Sequence, residues 1–289
     1  MALFQRIFQT AAVTLACCCA PLLSSQALAA EPRIISTDAG ATNLIVALGY
    51  GHQLIAVDVT SQLPAAYSKL ARLGYHRNLS AEGLLSLAPS LVVGSEHMGP
   101  ASAVTALQKS GIPLLQLPAA HTPAILARNI ERLGAVLDDK PATQGLLAEL
   151  AQKQTQLAQQ AAPAMTMVFL LDIGGEKLRM AGHGTSGEAF IKLLGGDNLA
   201  DFQNYQSVSD ESLLALQPQL IVIASNNSDQ PHNSPLSDAV IAATPAGING
   251  HIHTVDGNTL VAGLSLAAID QAAAISSRLG ADNDSVATH

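Results

Sequence analysis

Ser80-Ala-Glu82-Gly-Leu84-Leu85-Ser-Leu87-Ala-Pro89-Ser-Leu91-Val92-Val93 returns 129 residues later as Ser209-Asp-Glu211-Ser-Leu213-Leu214-Ala-Leu216-Gln-Pro218-Gln-Leu220-Ile221-Val222. Eight of the fourteen positions are identical, and Val92 against Ile221 is a conservative change. Each copy reads as a Ser N-cap, a short helix with paired leucines, a Pro that stops it and a buried apolar strand. Two such copies so far apart predict two similar lobes, with the ligand between them.

The flanking sequence fills in the lobes. Upstream of the first copy, Arg33–Ser36 and Leu54–Val57 read as strands, Asp38-Ala-Gly40 as a turn, and Ala41–Leu48 as a helix that ends at Gly49. Downstream come the helix 101–109 and the strand 112–117. Helices alternating with short apolar strands predict an α/β fold with mainly parallel sheets. Thr122–Leu137 then has helical periodicity, with Leu126, Ile130, Leu133 and Leu137 on one face. Residues 142–161 follow as a Gln/Ala/Leu helix; about 20 residues span about 30 Å, which suits a stiff strut between lobes. The second lobe restarts with strands at 167–171 and 177–181, paired through a Gly174-Gly175 turn, and a helix at 187–194. A short helix near 238–243, a strand at 253–255 and a closing helix at 265–279 complete it, and 282–289 reads as a disordered tail.

Residues 1–29 read as an export signal: Arg6, an apolar run from Ala11 to Leu23, and the cleavage pattern Ala27-Leu28-Ala29. All three cysteines lie inside that run, so thiol catalysis and cysteine-ligated zinc are excluded from the mature chain. The organisation expected is therefore a signal peptide 1–29, an N-terminal lobe 30–138, a connecting helix 139–163 and a C-terminal lobe 164–289. A formal net charge of −8 argues against nucleic acid as a partner. No later stretch is long and apolar enough to span a membrane.

Few motifs carry chemistry. Gly182-His-Gly184-Thr-Ser-Gly187 matches the dinucleotide fingerprint, between a strand and a helix, but the strand before it is too polar for a central parallel strand. The bland reading is a loop tightened by glycines. No serine nucleophile elbow and no locally supported carboxylate pair stand out, so no catalytic residue is assigned. His251 and His253 are spaced to share one side of a strand, read as a solvent-facing edge. Glu82 and Glu211 hold the same place near their helix N-termini, where a carboxylate stabilises the helix by about 0.3–1 kcal/mol; alternatively both dock on a basic partner. Tyr75 follows Gly74 beside His76 and Arg77, either as an exposed loop residue or at the lip of the first lobe.

Gly74-Tyr75-His76-Arg77-Asn78-Leu79-Ser80-Ala81-Glu82-Gly83 resembles a signature of the periplasmic haem-binding proteins of bacterial haem ABC importers, which are class III substrate-binding proteins. Ala181–Thr185 and Leu193–Asn198 resemble the same family's second-lobe loop and helix end. The resemblance covers residues 33 to about 280 and implies two lobes joined by a long helix, with haem in the cleft as transported ligand. It implies that Tyr75 ligates the haem iron, that Arg77 contacts a propionate, and that His183 is a second axial ligand. His76 and Met98 join them as haem-contacting candidates. His76 departs from the family, where Met is usual. Glu82 and Glu211 map onto the glutamates that dock on the permease. An inner-membrane ABC permease with its ATPase, an outer-membrane haem receptor upstream and a periplasmic location follow from the same likeness. The residue chemistry agrees: ferric haem accepts a Tyr oxygen, and Arg clamps a carboxylate bidentately.

Two other readings stand beside haem delivery. A ferric-siderophore or cobalamin carrier shares the Ser-x-Glu helices, and an exported nucleotide-dependent enzyme would use the Gly182 loop. Adjacent residues in an extended loop alternate sides, so His76 is expected to face away from Tyr75.

Overall fold

The computed structural model describes residues 31–67, 69–160, 164–173, 178–225 and 238–286. The expected signal peptide, the expected Gly174-Gly175 turn and the last three residues lie outside them. Residues 32–289 form one unit, built on two sheets.

The first sheet follows from β1 (Ile34–Ser36), β2 (Leu54–Val57), β3 (Ala71–Arg72), β4 (Leu91–Ser95) and β5 (Leu114–Leu117), with α1 (Ala39–Ala47), α2 (Ala81–Ser86) and α3 (Ala101–Lys109) between them. Its order is β3-β2-β1-β4-β5 and every pairing is parallel. Side chains alternate across it. Ile34, Val57 and Val93 join the large central core, while Ile35, Ala56 and Val92 pack with Leu84 and Leu107 on the other face. Helix α1 begins at Ala39, earlier than its spacing predicts, because the carboxylate of Asp38 accepts from Ala41 N and caps it.

Helices α4 (Pro123–Leu137) and α5 (Lys140–Gln159) lead to the second sheet. Thr122 and Asp139 cap them, and Asp138, left-handed at φ 53°, separates them. Helix α5 buries Leu146, Leu150 and Leu157, and packs on α4 and on α10 (Leu266–Val286). Lys153 ties α5 to Asp270 of α10 at 2.5 Å. The predicted strut is thus one wall of a core shared by both lobes. Helix α10 runs on to Val286, into what the sequence suggests is a tail.

The second sheet comprises β6 (Thr166–Asp172), β7 (Arg179–Ala181), β8 (Asp197–Asn198), β9 (Tyr205–Ser207), β10 (Leu220–Ser225) and β11 (Ile252–Asp256). Its helices are α6 (Ser186–Leu193), α7 (Asp210–Leu216), α8 (Asp238–Ala242) and α9 (Pro245–Ile248). The order is β11-β10-β6-β7-β9, with β8 on β6. Strands β10, β11 and β8 run parallel to their neighbours, whereas β7 is antiparallel to β6 and to β9. The link from β6 to β7 is too short for a parallel crossover, which needs a dozen residues or more. Helix α9, capped by Thr244, has no counterpart in the sequence reading. His253 is buried, not on a solvent-facing edge.

The two copies of the repeat fold alike. Ser80 and Ser209 each accept a hydrogen bond three residues on, and Leu84 and Leu213 are buried at 1% and 0% exposure. Ala88 and Gln217, aligned residues before the prolines, are both left-handed, at φ 46° and 50°. Ser90 and Gln219 next accept from the backbone N–H of Arg33 and Thr166, fixing each lobe's first strand.

The lobes meet at a backbone seam. Ala120 N donates to Ala262 O at 3.0 Å, and Leu264 N donates to Ala120 O at 2.8 Å. A Cβ on Gly263 would collide with the Ala120 backbone, so only glycine permits this approach.

Candidate functional site

A cavity of about 260 Å³ opens between the lobes. In open α/β sheets ligands bind beyond the carboxyl ends of the strands, and the segments after β2, β4 and β5 supply Thr60, His97 and His121 to its wall. Tyr75, His76 and Arg77 complete the first lobe's side. The second lobe offers an apolar wall of Phe169, Leu171 and Ile173, flanked by Thr185 and Tyr205. Another hollow of about 270 Å³ lies between α1, α4 and residues 262–267, but its lining is mainly aliphatic. Its carboxylate, Asp38, already accepts from Ala41 N and Ser95 N. The convergent polar groups are in the first cavity, which is therefore the candidate site.

Tyr75 opens a turn: Asn78 N donates to Tyr75 O at 2.7 Å. Leu79 N to Gly99 O, at 2.7 Å, and Gly99 N to His76 O, at 2.9 Å, lace that turn to the loop after β4. Tyr75 is left 47% exposed. Arg77 is exposed beside it on the same wall.

His76 does not face away from Tyr75. Because the segment is a turn and not extended, the two rings lie 4.1 Å apart between centroids, tilted by 48°. His76 is 5% exposed, with Nδ1 3.8 Å from Asp58 Oδ2. Asp58 is itself held by the N–H and hydroxyl groups of Thr60 and Ser61. His76 is thus a prop under the tyrosine. Met98 is also displaced from its expected role: it is 7% exposed and packs in the first-lobe core with Leu79 and Leu84, off the cavity wall. Neighbouring His97 does line the cavity, and burial, with the Arg77 charge second, pushes it below the usual imidazole range.

On the second lobe, Gly184, Thr185 and Ser186 line the cavity; His183 stands immediately before them, not itself on the wall, with a side chain 43% exposed. Its Nδ1 lies 2.9 Å from Glu188 Oε1. Glu188 also accepts from Lys192 Nζ at 2.9 Å and from Gly184 N at 2.9 Å. Burial would raise this carboxyl, but the bonds from His183, Lys192 and Gly184 prevail and hold it at about 2. The sequence reading missed Glu188. Thr185-Ser-Gly-Glu188 fits the capping-box pattern, which could have found it. Tyr205 was also missed as a lining residue; its hydroxyl accepts from Gly187 N at 3.1 Å, and burial pushes the phenol up.

The dinucleotide reading loses its geometric basis. The strand before Gly182 is β7, antiparallel and three residues long, not the parallel strand the fingerprint requires. Glu82 and Glu211 are both exposed, each at the second position of its helix and off the cavity wall. Among the described residues, no cluster of three or more His, Cys, Asp or Glu could hold a metal ion by itself. No helix there is long and apolar enough to cross a membrane.

Two lobes of doubly wound type around a cleft, joined by a long helix, define a class III substrate-binding protein. The chain belongs to the periplasmic binding protein family, whose model matches residues 34–259. It is 27% identical over 209 residues to the vitamin B12-binding protein of Yersinia pestis strain Pestoides F, covering 72% of this chain and 74% of that one. Among solved structures it is similar to the periplasmic haem-binding protein HutB of Vibrio cholerae, with 34% identity and a TM-score of 0.77 over 86% of this chain and 99% of that one. A periplasmic haem-binding protein from Pseudomonas aeruginosa matches with 30% identity and a TM-score of 0.76, covering 86% and 92%.

Proposed function

We propose that this chain binds haem in the interlobe cleft in the periplasm and delivers it to an inner-membrane ABC permease with its ATPase. The observation that carries the reading is Tyr75: an exposed phenol on a laced turn, with Arg77 beside it and an apolar wall opposite. A flat amphiphilic ligand fits that set. The tyrosine oxygen ligates ferric iron, Arg77 pairs with a propionate, and Phe169, Leu171 and Ile173 cover the macrocycle. His183 is the second axial ligand. The likeness to two haem-binding proteins at 30% identity or more supports the same cargo. Export by the leader 1–29, with cleavage near Ala29, and haem supplied through an outer-membrane receptor complete the route. The lobes span 30–138 and 164–289, with 139–163 as the connector.

The B12-binding relatives favour a second reading, a cobalamin carrier. Parallel titrations of the ligand-free protein with haemin and with cobalamin decide between them. Haemin is expected to give a shifted Soret band saturating at a stoichiometric amount, and cobalamin none. No Soret shift would remove the haem reading.

A further inference from the structure

The second lobe holds its histidine in a way that fixes its chemistry. The His183 backbone is clamped on both sides, His183 N donating to Phe202 O at 2.7 Å and Asn204 N donating to His183 O at 3.0 Å. Only the ring is left to turn, and Glu188 Oε1 sits 2.9 Å from its Nδ1. The carboxylate cannot turn either, because Lys192 holds the same oxygen and Gly184 N the other. An ionised carboxylate can only accept, so Nδ1 carries the hydrogen. In a neutral imidazole the lone pair is then on Nε2.

We infer that Glu188 is a positioning residue that makes Nε2 of His183 the nitrogen offered to the iron of the bound ligand. This rests on the haem reading and deepens it. Carboxylate partners of this kind orient metal-binding histidines and raise their basicity, and their removal typically costs 10–100-fold in metal affinity. The proposal assigns Glu188 no contact with the ligand; it acts through the ring.

Glu188→Gln tests it. Glutamine keeps an oxygen for Gly184 N but can present its NH2 to Nδ1, which favours the tautomer with hydrogen on Nε2 and blocks ligation. Haemin titration of wild type, Glu188→Gln, His183→Ala and the double variant should show both single changes lowering affinity by about 10-fold. Both should give the same altered absorption spectrum, and the double variant should go no further than His183→Ala. Ring-nitrogen NMR of ligand-free wild type should report hydrogen on Nδ1 of His183, which needs neither haemin nor a folded variant. Hydrogen on Nε2 in wild type, a wild-type spectrum in Glu188→Gln or His183→Ala, or additive losses in the double variant would each overturn the proposal. If wild type itself fails to take up haemin, the carrier reading falls as well; if wild type binds and Glu188→Gln is indifferent, only the role of Glu188 falls.

Discussion

The segments Ser80–Val93 and Ser209–Val222 share caps, buried leucines, left-handed residues before their prolines, and even the side-chain acceptor that anchors the first strand of each lobe. What precedes them differs. Before the first copy, a laced turn places Tyr75 on the cleft wall, 47% exposed. Before the second, β9 carries Tyr205, whose hydroxyl is committed to Gly187 N. The same frame thus presents one tyrosine free to meet a ligand and one spent on the fold. Each lobe also pairs a histidine with a carboxylate, but His76 is buried beneath Tyr75 while His183 is half open. The frame explains the architecture, and the segments upstream of it carry the chemistry.

The comparison can be broken at its most symmetric point. Glu82 and Glu211 lie outside the cavity at matched positions. Changing both to Ala is expected to abolish haem uptake through a reconstituted permease while leaving the haemin titration unchanged, since rim charges register a partner. Normal uptake would leave them only as helix-end charges.

Exchanging the two tyrosines sharpens the contrast. Tyr75→Ala should lower haemin affinity at least about 100-fold, since losing the iron ligand costs no less than losing a group that only orients one. Tyr205→Phe should leave affinity nearly unchanged and destabilise the fold by about 1 kcal/mol, as Gly187 N loses its acceptor. Titration and thermal unfolding of both variants separate the two roles.

His76→Ala removes the prop beneath Tyr75, and should cost about 1–3 kcal/mol of stability and weaken haemin binding several-fold. His76→Met should restore most of the affinity, since Met fills irregular space well. Equal losses in both would mean that Asp58, and not packing, holds the turn.

Acid titration probes the other histidine pair. Glu188, held at about 2 against an ordinary 4.5, contributes stability that is present above about 4.5 and lost as pH falls through about 2. Thermal unfolding across that window should show a steeper decline for wild type than for Glu188→Gln.

The smallest expected effect concerns Ala88 and Gln217. Their φ values of 46° and 50° favour glycine, so Ala88→Gly and Gln217→Gly should each stabilise by up to about 1 kcal/mol. Chemical denaturation midpoints would read it, and similar gains would confirm that the copies share this strain.

Much of the architecture was legible because its signals are local. Ser80 and Ser209 cap the helices they announce, and Thr122 and Pro123 open α4 where the apolar spacing begins. Legibility failed where tertiary contacts decide. No spacing brings Asp58 to His76, eighteen residues away, or tells that a turn would stack His76 against Tyr75. Met98 reads as a haem-contacting candidate in a loop, yet it turns inward to fill the space over Gly94. Asp38 reads as part of a turn because its capping bond to Ala41 is invisible until the helix is built. Tyr75, beside Arg77, stood out in the sequence itself, the resemblance implied their roles, and their exposure beside the cleft followed from the fold.

The seam at Ala120 and Gly263 bears on timing. A wide hinge at that point would break the bonds from Ala120 N and Leu264 N, at about 0.5–1.5 kcal/mol each. The shared core of α4, α5 and α10 resists the same motion. Large spontaneous gaping is therefore rare, and cargo that has entered stays for as long as small fluctuations allow. Residence time is then governed by whatever grips both lobes from outside and works them apart, so the dissociation rate measured on the isolated carrier should be far slower than the rate at which a docked transporter empties it.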